Sequence, residues 1–262
     1  MINYFQIQRL ASIKGMPEDV IEKDYFIELL LFYLSSAESF RQKFIFRGGT
    51  ALKKMYFPEY RFSEDLDFIM EEKEILADSE KLIDEIIIKI SADYPFSPSK
   101  TSNIKNDRLQ IFISYDVIPE LKTVKELKID ILKDVFSPSS IEKEIIFTYP
   151  DFRDKKNTLR IYTLEAVVTD KILRIMDVDK EARDIFDLWF LLKLDYLDIF
   201  KLKDELKRRL GFKIHYPNLI DEIKSKSYKQ TWEIRLEKQV IDLPSYEFVV
   251  KDLEELIRNK LF

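Results

Sequence analysis

A chain of 262 residues with 46% hydrophobic and 35% charged side chains can bury a sizeable core, while its formal net charge of −5 gives no global basic field, so any nucleic-acid contact must come from local patches. The absence of cysteine and the single His215 exclude disulfides, cysteine-ligated zinc and a histidine cluster, leaving a hard, oxygen-bound cation as the metal the composition allows. No apolar signal core opens the chain and no run of about 20 apolar residues occurs in it, which predicts a cytoplasmic protein without membrane contact.

In chain order, the apolar spacing of "EDVIEKDYFIELLLFYLSS" predicts a helix over residues 18–36, with Pro17 and Glu18 at its start. "KFIFR" predicts a short strand ending at Gly48-Gly49, and Thr50 then opens a helix over "TALKKMYF". "DLDFIM" reads as a second strand. "SEKLIDEIIIKISADY" reads as a helix, although "IIIKI" alone fits a strand equally well. After a Pro/Ser-rich loop, "RLQIFISYDV" and "ELKIDILKDV" predict two further strands. From about residue 163 the pattern turns helical, through "TLEAVVTDKILRIM", "KEARDIFDLWFLLKL", "IFKLKDELKRRL" and "SYEFVVKDLEELIRNKLF". The expected architecture is α+β, with a mixed-sheet core over residues 1–158 and a mainly helical lobe over residues 159–262.

Gly15, Gly48, Gly49 and Gly211 are the only glycines, so neither a G-x-G-x-x-G fingerprint nor a P-loop can be written. A strand, two glycines and a helix start read either as a tight turn capped by Thr50 or as an anion site. In the second reading the backbone approaches a phosphate and the first-turn N–H groups, with the Thr50 hydroxyl, donate to it. Two residues apart on a strand, Asp65 and Asp67 present their carboxylates on one face. At about 4 Å and an effective dielectric near 20 they repel by about 4 kcal/mol, so a cation is expected: Arg61 as a structural partner, or Mg²⁺ shared with nucleotide phosphates. Asp130 in "LKIDIL" alternates with Ile129 and Ile131 and completes an acidic triad if its strand lies beside that of Asp65 and Asp67, where it could ligate metal or act as a general base. "RDKKNTLR" and "KLKDELKRRLGFK" read as solvated basic faces or RNA-backbone contacts. His215, beside a Pro turn, reads as structural.

"FRGGTALKKMYFPEYRFSEDLDFIM", preceded by "VIEKDYFIELLL" and followed by "TLEAVVTDKILRI" and "ARDIFDLWFLL", resembles the AbiEii/AbiGii-type nucleotidyltransferase toxins of the polymerase-β-like superfamily. The resemblance implies a nucleotidyltransferase core whose helical lobe contributes to the active-site cleft. It also implies that Arg47, Gly48, Gly49, Thr50 and Ser63 bind the nucleotide, that Asp65, Asp67 and Asp130 bind Mg²⁺, and that Lys171 reaches a phosphate. Asp184 or Asp187 would complete the far wall; the two share a helix face, and Arg183 can pair with Asp187 at i, i+4. The implied reaction is transfer of NMP from an NTP to an acceptor, tRNA or another RNA, by a toxin restrained by a separately encoded antitoxin. A small-molecule nucleotidyltransferase and a non-enzymatic nucleotide-binding partner module are the alternative readings.

Overall fold

The computed structural model describes residues 1–71, 74–123, 125–134, 138–177, 180–210 and 215–262; Gly211 and the rest of "GFKI" lie outside them. The chain divides into two compact units, Met1–Ser137 with Ile141–Ile161, and Pro138–Ser140 with Tyr162–Phe262.

In the first unit, α1 (Tyr4–Lys14) starts from a capping box in which the Asn3 side chain accepts from the Gln6 amide, and it stops at Gly15 in the left-handed region. α2 (Glu18–Ser36) is buried nearly all round, as a helix through the middle of a core must be. A short α3 (Glu38–Lys43) leads into β1 (Phe44–Arg47), which passes directly into α4 (Gly48–Met55). α4 thus begins at Gly48, two residues earlier than expected, so Thr50 lies within its first turn and is not its cap. β2 (Asp65–Glu71) follows, then α5 (Leu76–Asp93). The "IIIKI" ambiguity resolves as helix: Ile83, Ile86 and Ile90 face the core at helical spacing while Ile88 is 68% exposed. β3 (Ser99–Lys105) and β4 (Arg108–Ser114) form a hairpin through Asn106-Asp107, with Asn106 at φ 53°. β5 (Glu126–Asp134), β6 (Ser140–Glu144) and β7 (Thr158–Tyr162) complete a seven-stranded mixed sheet in the order β3-β4-β5-β2-β1-β7-β6. β2 runs parallel to β5 and antiparallel to β1, and β1 runs parallel to β7.

Strand alternation splits this sheet into an apolar and a polar side. Leu66, Phe68 and Met70 of β2, Leu127, Ile129 and Ile131 of β5, and Leu109, Ile111 and Ile113 of β4 enter one core with α2 and α5. The residues between them, Asp65, Asp67, Lys128, Asp130, Arg108 and Gln110, therefore share the other side.

The second unit is helical: α6 (Leu164–Met176), α7 (Ala182–Leu192), α8 (Ile199–Leu210), α9 (Tyr216–Ile223), α10 (Lys226–Leu236) and α11 (Tyr246–Leu261). Thr163 caps α6 by accepting from the Ala166 amide, and Ser245 caps α11 by accepting from the Phe248 amide. The Pro turn expected at His215 is instead the start of α9, where Pro217 occupies a first-turn position.

One buried ion network ties α4 to α2. The Lys54 ammonium lies 2.8 Å from an oxygen of Asp24 and 2.8 Å from one of Glu28, all three side chains being withdrawn from solvent. Glu28 also accepts from the Thr148 and Tyr149 amides and the Thr148 hydroxyl, and Asp24 accepts from the Tyr149 hydroxyl. Burial opposes the charge on Lys54, yet the two carboxylates outweigh it and raise its pKa. Replacing Lys54 by Met would leave two carboxylates buried without their cation, so chemical denaturation should report a loss of about 3–5 kcal/mol. The exposed Lys81→Ala control should stay within about 0.5 kcal/mol. Equal midpoints for the two variants would contradict the clasp.

Candidate active site

The expected nucleotide-binding residues gather where β1 becomes α4. Gly48 adopts φ +83°, and a Cβ built there would lie 2.5 Å from Asp67 Oδ2. Both its conformation and its neighbour therefore require glycine. The positive φ thus sits at Gly48 and not at Gly49, where the constraint is space: a Cβ would come within 2.5 Å of Arg61 Nη2 and 3.1 Å of Ser63 Oγ. Arg61 is itself buried and donates from Nη1 to the Phe62 carbonyl. The Thr50 hydroxyl donates to the Asp65 carbonyl at 2.5 Å, so this side chain pins the helix start to β2 and is not extended toward a ligand. Arg47 precedes the helix and stands opposite Asp67 in the β1–β2 register.

Asp65 and Asp67 lie on one side of β2, both partly exposed. Asp130 of β5 is the register partner of Asp67, and Lys128 that of Asp65. The Asp130 carboxylate is, however, committed: Arg108 donates to it through Nε at 2.6 Å and through Nη2, and the Lys128 ammonium lies 2.9 Å away. Burial works against its charge, but the hydrogen bonds from Arg108 and Lys128 prevail and hold the carboxyl below its usual range. In turn, the Asp130 hydrogen bond raises the pKa of Arg108, with burial opposing it and Asp67 adding to the field. Neither Arg108 nor Lys128 was anticipated as a site residue, although alternation in "RLQIF" and "LKIDIL" places both on the polar side.

Among the described residues no three carboxylate or imidazole groups form a metal cluster by themselves. The oxygen donors of Asp65 and Asp67 nonetheless suit Mg²⁺, which is commonly held by one or two carboxylates together with substrate phosphates. β5 does lie beside β2, the condition set for an acidic triad, and it brings Asp130 level with Asp67 with its carboxylate held by Arg108 and Lys128.

In the second unit Lys171 of α6 is buried, 2.7 Å from Asp184 and 2.6 Å from Asp187 of α7. Asp184 is also 3.0 Å from Arg174, and Arg183 lies 3.6 Å from Glu181. The two aspartates share a helix face, and both meet the lysine there.

The fold matches MenT4, a nucleotidyltransferase toxin from Mycobacterium tuberculosis, with a TM-score of 0.69 at 16% identity over 99% of this chain and 90% of that one. The sequence model of the family described as "Nucleotidyl transferase AbiEii toxin, Type IV TA system" matches residues 29–259, and the chain belongs to that family. No curated protein sequence matches it significantly. Among the described residues no helix is long and apolar enough to cross a membrane.

Two predictions test this geometry. Gly48→Ala should cost more than about 1 kcal/mol of stability, because it meets both a positive φ and the Asp67 carboxylate; a denaturation curve matching wild type would contradict the close approach. Arg108→Ala should raise the Asp130 pKa toward its unfolded value of about 3.9, as read by carboxyl-carbon NMR titration. The sign follows from the depressed value: in wild type the ion pair stabilises the fold above the ordinary Asp range, and this is lost as pH falls through the folded pKa. An Asp130 titration indifferent to Arg108 would overturn the assignment.

Proposed function

We propose that the protein transfers a nucleoside monophosphate from an NTP to an RNA acceptor, tRNA being the first to test, with Mg²⁺ as cofactor and a separately encoded antitoxin as its restraint. The observation that carries the reading is the packing of Gly48 against Asp67, which puts the amide-rich start of a helix beside a partly exposed carboxylate. Amide groups at such a start suit phosphate oxygens, and the paired acids suit the ion that accompanies them.

In this reading Gly48 and Gly49 present backbone N–H groups to the β- and γ-phosphates, and Arg47 and Ser63 line the same turn. Thr50 acts by position, fixing that turn to β2 through the Asp65 carbonyl. Asp65 and Asp67 would hold Mg²⁺, which supplies neutralisation of the charge that develops at the α-phosphate. The acceptor hydroxyl oxygen bonds to the α-phosphorus as the bond from that phosphorus to the pyrophosphate oxygen breaks. Pyrophosphate leaves in line with the electron pair, and the hydroxyl proton passes to Asp130. Lys171, Asp184 and Asp187 form a second set of candidates, read in the same assay through Lys171→Glu and Lys171→Arg.

Incubation with each labelled NTP, Mg²⁺ and total tRNA tests the reading, with small-molecule acceptors in parallel. Asp67→Asn should lower transfer by on the order of a hundredfold or more at an unchanged melting temperature, since metal positioning supplies several kcal/mol of transition-state stabilisation. Wild-type turnover in that variant would remove Asp67 from the mechanism.

A further inference from the structure

The polar side of the sheet continues beyond the acids. Asp67 of β2 is in register with Asp130 of β5, Asp130 with Gln110 of β4, and Gln110 with Asn103 of β3. Register partners project to the same side, so these four residues form one row crossing four strands. At the β3–β4 end the row enters an open groove of about 440 Å³ lined by Asn103, Lys105, Asn106, Arg108, Gln110 and Leu132, with Asp107 its single acid. That volume falls within the roughly 300–1,000 Å³ of small-ligand sites. Lys105 and Asn103 are exposed, and the Arg108 side chain is half exposed while holding Asp130.

We propose that the acceptor RNA docks its single-stranded end across β5, β4 and β3, with phosphates on Lys105 and Arg108 and a base edge against Gln110 and Asn103. The inference rests on the nucleotidyl-transfer reading and deepens it by assigning the acceptor side. In-line displacement puts the attacking and leaving oxygens on opposite sides of the phosphorus. With the departing pyrophosphate at the Gly48-Gly49 turn beside β1, the acceptor comes from the other direction along the sheet. β4 lies three strand spacings from β1, about 14 Å, and carries the amide and cationic groups that bases and phosphates use. Arg108 links docking to chemistry. Drawn to an acceptor phosphate, its guanidinium frees Asp130 Oδ1 for the acceptor's proton, while Lys128 stays 2.9 Å from Oδ2.

The test uses the full chain and fluorescently labelled total tRNA, with binding followed by anisotropy over a series of KCl concentrations. Lys105→Ala and Arg108→Ala should each lower the slope of log affinity against log salt by roughly 0.7, the single-strand contribution of one phosphate contact. Asn103→Ala with Gln110→Ala should raise KM for tRNA about tenfold and leave KM for the NTP within twofold. An unchanged slope and an unchanged tRNA KM would overturn the proposal while nucleotidyl transfer itself stands. A rise in the NTP KM alone would overturn it by giving the groove to the incoming nucleotide. Absence of any transfer to tRNA by the wild type would remove both the underlying reading and this proposal.

Discussion

The close approach of Gly48 to Asp67 is the constraint on which the site depends. A side chain at residue 48 would collide with the carboxylate at 2.5 Å and would require an unfavourable positive φ. With glycine there, β1 turns into α4 without an intervening loop, and the start of the helix comes to rest on β2. Thr50 fastens this turn to the Asp65 carbonyl, and Lys54, one turn farther on, fastens the same helix to α2 through Asp24 and Glu28. Two attachments on one short helix hold the candidate phosphate site in place relative to the carboxylates. Such a site gains from rigidity, because misplacement by about 1 Å can cost on the order of a hundredfold in rate.

Charge is handled by the same device in both units. Lys54 lies between acids four residues apart on α2, and Lys171 lies between acids three residues apart on α7. Each buried lysine meets two carboxylates on adjacent helical turns. The surplus negative charge is met by further donors: Thr148 and Tyr149 in the first unit, Arg174 in the second. Asp130 differs in that its guanidinium partner is half exposed, with the Lys128 ammonium a further 2.9 Å partner.

Much of this was legible in the sequence where the residues concerned are local. The periodicity of residues 18–36 marks α2, and the alternation in "RLQIFIS" and "LKIDIL" marks β4 and β5. The i, i+2 spacing of Asp65 and Asp67 marks a shared side. β3 escaped because "SKTSNIK" lacks apolar alternation; as an edge strand it is exposed and owes its pairing to the two-residue Asn106-Asp107 turn. α4 starts early because Gly48, at φ +83°, turns the chain out of β1 and Gly49 enters the first helical turn, against glycine's low helix propensity. The Arg108–Asp130 pair could not be read from order alone, since it follows from the register of strands 22 residues apart. Nothing in "ALKKM" marks Lys54 as buried, since its partners Asp24 and Glu28 lie on α2.

The proposed function requires the triphosphate to lie on the Gly48-Gly49 turn with its reacting phosphate at Asp65 and Asp67. A crystal structure with Mg²⁺ and an α,β-methylene NTP tests it most directly. β- and γ-phosphate oxygens should lie about 3 Å from the backbone nitrogens of residues 48–50, with a metal bound by both aspartates. A triphosphate seated elsewhere, with those carboxylates free of metal, would contradict it.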